Sequence, residues 1–140
     1  MIEIKRLPVA DAALSARWDA FVLACPQASF FHRAGWGRAL SRVFHHPLTM
    51  LYAERDGSIE GVLPLAQVKS MLFGHAVVSL PFAVYGGVAA DTPQAAAALE
   101  AEAARLTQQL GAQHLELRHV ERHHDDWPLQ DLYVTFRKPI

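Results

Sequence analysis

Three of the eight histidines in this sequence fall in one short polar stretch together with two aspartates. These residue types bind transition-metal ions, and a metal site requires three or four of them to converge on one point. The stretch follows a predicted strand and is rich in charge, whereas the histidine spacing predicts a shared site only on a helix. We therefore predict exposed histidines and no metal site at these positions: His119, His123, His124, Asp125 and Asp126.

The stretch LPFAVYGGVAAD, residues 80–91, is a second candidate because it lies between a strand-like run and a helix start. Backbone N–H groups at a helix N-terminus attract phosphate groups. This stretch contains no arginine, lysine or glutamine, Pro93 removes one donor, and Asp91 adds negative charge. We predict no coenzyme A pyrophosphate loop and no cofactor. Gly86 and Gly87 instead indicate a kinked strand, or a place where another backbone or a ligand comes close.

Other reactive side chains have simpler interpretations. Cys25 lies on the apolar face of a predicted helix with no histidine or lysine placed to lower its pKa, so we predict a core residue. Arg38 and Arg42 lie one helical turn apart and indicate a solvated face, with phosphate binding as the alternative. No nucleophile elbow, Ser-His-Asp spacing or Walker loop is present. Hydrolase and nucleotidase functions therefore have no support.

Length and composition predict one globular domain. The chain has 140 residues, of which 51% are hydrophobic and 19% charged, which is typical of a protein with a packed core. The formal net charge of -1 provides no field that would attract DNA. Neither a signal peptide nor a run of about 20 apolar residues is present, so we predict no integral membrane segment. We expect a cytoplasmic protein, with peripheral contact at the inner membrane left open.

The first half of the chain predicts two helices followed by a meander of strands. Periodicity predicts a strand over 2–6, a helix from Asp11 to Pro26 and a second helix over 29–44, with one apolar face formed by Trp36, Leu40, Val43 and Phe44. Strands follow over 48–54, 59–69 and 76–80 and are expected to pair antiparallel. The first two are joined by an Asp-Gly hairpin turn, and Pro64 indicates a bulge or an edge position.

The second half contains the clearest helix. Thr92 is a suitable cap, Pro93 suits the first turn, and Gly111 suits the left-handed residue past the end. Its apolar stripe lies opposite Glu100, Glu102, Arg105 and Gln109. Strands are predicted over 113–118 and 132–138.

The predicted order is β, α, α, three antiparallel strands, α, β, β, and this order resembles the GNAT acetyltransferase superfamily. The predicted fold class is therefore α/β (α+β), a GNAT-like acyltransferase fold with a mixed, mostly antiparallel sheet flanked by about three helices.

Five motifs together resemble the FemAB-like proteins, and in particular the FemAB-related branch found with exosortase and exopolysaccharide systems in bacteria. They are FFHRAGW at 30–36, GVLPLAQVKSMLFG at 61–74, VSLPFAVYGG at 78–87, HLELR at 114–118 and DLYVTFRKPI at 131–140. Characterised relatives carry two GNAT-like halves and transfer an amino acid from aminoacyl-tRNA to a peptidoglycan precursor. The resemblance implies that residues 1–140 form the N-terminal half of such a protein and are inactive alone.

The resemblance also implies a set of substrate-binding residues, while the catalytic residues stay unassigned. The FFHRAGW motif would bring His32 and Trp36 to the groove, and the VYGG motif would bring Tyr85, Gly86 and Gly87. Trp36 fits a helix core equally well, and His32 fits a cap of the second helix.

Two functions follow from the sequence. The first is an acyl- or aminoacyl-transferase-related domain of FemAB type that contributes to an acceptor groove in cell-envelope or exopolysaccharide metabolism. Its ligand would be a cell-envelope precursor or a peptide, with aminoacyl-tRNA as donor by family analogy. The alternative is a non-catalytic GNAT-like module that binds a second GNAT-like half or associates with itself.

Overall fold

The computed structural model describes residues 1–72 and 74–129. The strands and helices follow the predicted order except for one additional short strand, β5, before α3. Their bounds are β1 Glu3–Arg6, α1 Ala12–Ala24, α2 Ala34–Phe44, β2 Leu48–Arg55, β3 Ser58–Ser70, β4 Gly74–Val78, β5 Ala89–Ala90, α3 Pro93–Gln109 and β6 His114–Glu116. A short 3-10 helix, Phe30–His32, precedes α2. The predicted strand over 132–138 lies outside the described residues.

The sheet is mixed and mostly antiparallel, as predicted. Its order is β1-β2-β3-β4-β6, and β5 pairs with β3 beside that path. β2, β3 and β4 form an antiparallel meander, whereas β6 pairs with β4 in parallel. Asp56 and Gly57 both have positive φ, which confirms the Asp-Gly hairpin turn between β2 and β3.

Helices cover both faces of the sheet. Successive side chains of a strand point to opposite faces, so neighbouring residues of one strand pack against different helices. Leu51 and Leu63 pack with Leu99 of α3 on one face. Tyr52 and Val62 pack with Trp18 of α1 on the other. In the part of the chain that the structure describes, no helix combines the length and the apolar character needed to cross a membrane.

Pro64 lies inside β3 opposite Met50, and the bulge between β2 and β3 falls at Ala53 and Glu54 instead. β3 pairs with β5 through residues 61–62 and with β4 through residues 66–70. Pro64 therefore lies in the gap between these two partners. Of the two alternatives predicted for Pro64, a bulge or an edge position, the structure confirms a local edge position.

The second predicted helix is divided into the 3-10 helix and α2. Arg33 between them has extended φ and ψ angles of -61° and 139°, so the helix begins again only at Ala34. Leu40 is buried as expected, but Val43 and Phe44 are exposed. The predicted apolar face is therefore only partly buried, and α2 buries a narrower stripe than its apolar residues suggest.

Candidate functional site

The chain between β4 and β5 forms an irregular loop, residues 79–88, which we call the 79–88 loop. Leu80 and Phe82 adopt left-handed backbone conformations, with φ values of 55° and 62°. Such a conformation costs a residue with a side chain about 1 to 2 kcal/mol, so the surroundings must hold it in place. Leu80 is completely buried and Phe82 is exposed.

Arg118, two residues beyond β6, holds both ends of the 79–88 loop. Its guanidinium donates to the carbonyl oxygens of Leu80 and Ala83, at 3.3 and 3.0 Å. Its backbone N–H donates to Oγ of Ser79 at 2.7 Å, and its carbonyl accepts from the N–H of Gly87 at 2.9 Å. Four hydrogen bonds from one residue therefore fix the loop to the end of the sheet.

The 3-10 helix holds the other side of the same loop. Oγ of Ser29 donates to the carbonyl of Tyr85 at 2.7 Å, and Nε2 of His32 lies 2.6 Å from the carbonyl oxygen of Gly87. The N–H of Ser29 donates to Nδ1 of His32 at 2.9 Å, so Nδ1 is the acceptor and Nε2 carries the proton. Trp18 supports this helix by donating from Nε1 to the carbonyl of His32 at 2.7 Å.

His32 is therefore a neutral, buried histidine with both ring nitrogens bonded. Its residue exposure is only 1%. Burial lowers the pKa of His32, although the hydrogen bonds with Gly87 and Ser29 act in the opposite direction. The cap predicted for the second helix is in fact a cap of the 3-10 helix.

Gly86 and Gly87 lie where other groups approach the backbone closely. A Cβ atom on Gly86 would lie 2.5 Å from the carbonyl oxygen of Ser79. On Gly87 it would lie 2.4 Å from Cδ2 of His119 and 2.9 Å from the carbonyl oxygen of Arg118. The prediction that another part of the chain comes close at these glycines is confirmed. Substrate binding by either glycine stays a prediction.

Five aromatic side chains lie on the α2 side of the 79–88 loop or within it, and we call them the aromatic patch: Phe30, Phe31, Trp36, Phe44 and Phe82. Trp36 packs edge-on against Phe30 and Phe31, with ring centres 5.6 and 5.3 Å apart. Phe82 stacks on Phe44 at 4.5 Å. Phe30, Phe44 and Phe82 are exposed, whereas Trp36 and Tyr85 are half-buried. Of the predicted substrate-binding residues, Trp36 and Tyr85 therefore remain within reach of a ligand, whereas His32 does not.

A shallow cleft of about 240 Å³ lies beside this loop, over β4 and β6. Its lining includes Val78, Pro81 of the loop, and Glu116 and Arg118, whose side chains form an ion pair at 2.7 Å. Val77 faces α3, so Val78 and the cleft lie on the opposite face of the sheet, the face that α2 also covers. The cleft offers a carboxylate and a guanidinium above an apolar floor.

The N-terminus of α3 has few free donors for a phosphate group. Oγ1 of Thr92 accepts from the N–H of Ala95 at 3.2 Å, and Pro93 contributes no N–H. Thr92 also donates to Oε2 of Glu60 at 3.3 Å, which places a carboxylate at this helix end. That charge opposes an incoming anion because both are negative.

On the α3 side of the 79–88 loop, three histidines surround one buried carboxylate. Nδ1 of His123 and Nε2 of His124 bond to the two oxygens of Glu100, at 2.7 and 2.5 Å. Nε2 of His119 lies 3.6 Å from Oε1 of Glu100, and the rings of His119 and His123 stack at 3.8 Å. We call Glu100, His119, His123 and His124 the histidine cluster.

The histidine cluster corrects three expectations. His119 was expected to be exposed, but its side chain is only 11% exposed. His119 and His123 meet without a helix, because the chain after β6 returns to Glu100 of α3. Glu100 was expected on the polar face of α3 but is buried. Burial acts to raise the pKa of Glu100, but the hydrogen bonds from His123 and His124 outweigh it, so the net shift is downward. Burial and the neighbouring His123 lower the pKa of His119 to about 4.

Cys25 is buried, and this burial raises the pKa of its thiol, so the thiol stays protonated and inert as expected. Sequence reasoning missed Arg118, Ser29 and Glu100. A signal for Ser29 was present, since Ser29 and His32 have the spacing of a capping box. Arg118 and Glu100 gave no such signal, because their partners lie far away in the sequence.

No protein-family model matches the sequence, and a sequence search found no similar curated protein. Solved structures do match the fold. An aminoglycoside acetyltransferase from an uncultured soil metagenomic sample has a TM-score of 0.66 at 15% identity, with 100% of this chain and 99% of that chain covered. A ribosomal-protein-alanine N-acetyltransferase from Brucella melitensis biovar Abortus has a TM-score of 0.59 at 16% identity, covering 97% and 99%.

An acetyltransferase from Trypanosoma brucei also matches, with a TM-score of 0.56 at 13% identity over 94% of this chain and 100% of that one. A GNAT-family acetyltransferase from Staphylococcus aureus has a TM-score of 0.56 at 9% identity, with 99% of this chain and 98% of that chain covered. At these identities the likeness concerns the fold alone. The chain therefore has the predicted GNAT acetyltransferase fold, with a sheet of six strands flanked by three α-helices in its described part.

Proposed function

We propose that this protein is an acyl- or aminoacyl-transferase-related domain of FemAB type that contributes an acceptor-substrate groove in cell-envelope or exopolysaccharide metabolism. The observation that carries the proposal is the 79–88 loop. On a GNAT fold, it is strained at Leu80 and Phe82 and held from both sides by Arg118 and the 3-10 helix. A strained loop that its surroundings hold rigidly is typical of binding sites.

The chemistry around the loop suits an amphipathic acceptor. The aromatic patch supplies exposed ring faces on which a sugar ring or an apolar side chain can pack. The cleft beside Pro81 supplies the carboxylate of Glu116 and the guanidinium of Arg118, which suit the amino and carboxyl groups of a peptide. Both surfaces lie on the face of the sheet opposite α3.

The N-terminus of α3 supports a donor other than acetyl-coenzyme A. Thr92 caps one of the first donors, Pro93 lacks one, and Glu60 adds a negative charge. A pyrophosphate would meet this charge without the backbone donors that normally compensate for it. By family analogy the donor is aminoacyl-tRNA, bound together with a second GNAT-like half.

Calorimetric titration with two ligands tests the proposal. We expect a soluble muramoyl-peptide precursor to bind and acetyl-coenzyme A to give no saturable heat. Tyr85→Phe and Phe82→Ala should each weaken precursor binding about three- to tenfold, the loss expected for one hydroxyl hydrogen bond or one ring contact. Met71→Ala is the matched control, since Met71 is fully exposed in the turn between β3 and β4. Tight binding of acetyl-coenzyme A without precursor binding would contradict the proposal.

The second candidate function is a non-catalytic module that associates through the aromatic patch. The observation that favours it is the exposure of Phe30, Phe44 and Phe82, of which Phe44 and Phe82 stack and so form a larger apolar surface than an isolated exposed residue does. Sedimentation of the purified protein tests it. A dimer that Phe82→Glu converts to a monomer, with no ligand bound by either form, would favour this candidate over the transferase.

The relation to a two-domain protein is tested in the source cells. We expect the intact native mass to be near twice 15.5 kDa if residues 1–140 are the N-terminal half of a FemAB-like protein. A native mass of 15.5 kDa would contradict that organisation and favour the binding module.

A further inference from the structure

The histidine cluster contains a buried negative charge without a permanent positive partner. The side chain of Glu100 is 7% exposed, and its ion-pair partners within residues 1–72 and 74–129 are all histidines. No lysine or arginine among the described residues forms an ion pair with this carboxylate. A bound cation would compensate its buried charge.

His119 supplies the second observation. Its side chain is 11% exposed, and its Nε2 atom is buried with no hydrogen-bond partner among the described residues. This atom lies 3.6 Å from Oε1 of Glu100, which is too long for a hydrogen bond. Ligand atoms bound to one tetrahedral zinc ion at about 2.0 to 2.1 Å lie roughly 3.3 Å apart. The observed separation is within about 0.3 Å of this ligand spacing.

The third ligand atom is Nδ1 of His123. It lies 2.7 Å from Oε1 of Glu100, and the three ligand atoms of Glu100, His119 and His123 all lie within 4.8 Å of one another. A metal ion would take the place of the hydrogen on Nδ1, which moves to Nε2 or to solvent. Binding one ion then requires the separation of these two atoms to increase by about 0.6 Å. One of the two stacked imidazole rings must also turn, because a metal ion lies in the plane of the ring that binds it.

We propose that Oε1 of Glu100, Nε2 of His119 and Nδ1 of His123 bind one zinc ion, whose fourth position is open to solvent beside the half-exposed His123. A set of two histidines and one glutamate is a recognised zinc ligand set. This ion attaches the segment after β6 to α3, next to Gly87 and the 79–88 loop. The site is independent of the proposed transferase function.

His124 is the positioning residue of this site. Its Nε2 bonds to Oε2 of Glu100 at 2.5 Å, and its ring stacks on Trp127 at 4.4 Å. The carboxylate is therefore oriented so that Oε1 is directed at His119 and His123. Groups that orient a metal ligand in this way typically contribute a factor of about 10 to 100 in metal affinity.

The test is a titration of untagged protein, stripped with a chelator, with Zn²⁺ and with Co²⁺. We expect one ion per chain, a higher melting temperature with Zn²⁺, and the intense visible absorption of tetrahedral Co²⁺. His119→Leu should abolish the Co²⁺ spectrum, and His123→Gln should weaken Zn²⁺ binding at least about tenfold. Because His123 lies at the surface, His123→Gln should leave the fold intact, and it therefore tests the site even if His119→Leu does not fold.

The matched control is His45→Asn. His45 is an exposed histidine outside the histidine cluster, and its left-handed φ of 56° is tolerated by asparagine. This variant should bind Zn²⁺ as the wild type does. His124→Gln should retain one ion per chain with an affinity about tenfold lower. The proposal is overturned if the wild type binds no Zn²⁺, or if binding survives unchanged in His119→Leu and His123→Gln.

Discussion

Two buried histidines lie on opposite sides of Gly87, and their surroundings differ. His32 bonds through both ring nitrogens to backbone groups of Ser29 and Gly87. His119 contacts the same glycine, but its Nε2 atom has no hydrogen-bond partner within the described chain. Burial lowers the pKa of both. Burial and a shifted pKa therefore do not separate His32 from His119. The two differ in whether their ring nitrogens have hydrogen-bond partners among the described residues.

Gly87→Ala should give the largest effect, because it disturbs both histidines. The new Cβ atom would meet Cδ2 of His119 at 2.4 Å and backbone atoms of Arg118 at 2.9 Å, and the backbone cannot move aside freely. We expect a loss of about 3 to 4 kcal/mol in unfolding free energy, at the upper end for overpacking. Urea unfolding of Gly87→Ala and of the wild type measures this loss in unfolding free energy.

Gly35→Ala is the control for that substitution. Gly35 lies in α2, and no atom comes within 4 Å of the position that a Cβ would occupy there, so alanine should stabilise the helix by about 0.5 to 1 kcal/mol. Equal stability of the two alanine variants would show that the contact at Gly87 is not tight.

His32→Leu should cost about 2 to 3 kcal/mol, because the N–H of Ser29 and the carbonyl of Gly87 lose their buried partner. Urea unfolding at pH 7.5 measures this loss. A variant as stable as the wild type would contradict the bonded role that the structure assigns to His32.

The pH dependence of the same variant reports the pKa of His32. The pKa of His32 is lower in the folded protein than in the unfolded chain, so below pH about 6.5 the unfolded chain binds more protons. The stability that His32 contributes therefore falls as the pH drops towards the pKa of His32 in the folded protein. The difference between wild type and His32→Leu should shrink by up to about 1.4 kcal/mol per pH unit in that window. Every other titrating group is common to both proteins. A constant difference from about pH 7.5 to about pH 5 would contradict the lowered pKa.

Trp18→Phe extends the comparison to buried indole groups. Nε1 of Trp18 donates to the carbonyl of His32, whereas Nε1 of Trp36 is buried without a partner in the described part of the chain. Trp18→Phe should therefore cost about 1 to 2 kcal/mol more than Trp36→Phe, through the lost hydrogen bond and the fuller burial of Trp18. Thermal unfolding of both variants measures the difference, and equal losses would contradict it.

The elements that could be predicted are those whose signals are local. α3 begins at Pro93, directly after its cap Thr92, and ends before Gly111, because capping and a left-handed glycine act within a few residues. Glu100 could not be assigned correctly, since its partners are histidines about 20 residues further along the chain. Helix periodicity shows which residues share a face, but it does not show what covers that face. The same reason hid Arg118, whose loop contacts are 31 to 39 residues away.

The smallest expected effect is that of His119→Leu in the metal-free protein. Leucine removes a buried nitrogen that has no hydrogen-bond partner among the described residues, so no bonded group is left unsatisfied and the apolar replacement is favoured. The lost stacking on His123 acts in the other direction. We expect a net change within about 1 kcal/mol in chelator, measured by urea unfolding. In excess Zn²⁺ the wild type should become more stable than the variant, because the ion binds only the folded protein that retains His119. A large loss already in chelator would instead give His119 the structural role of His32, and the contrast between the two sides of Gly87 would disappear.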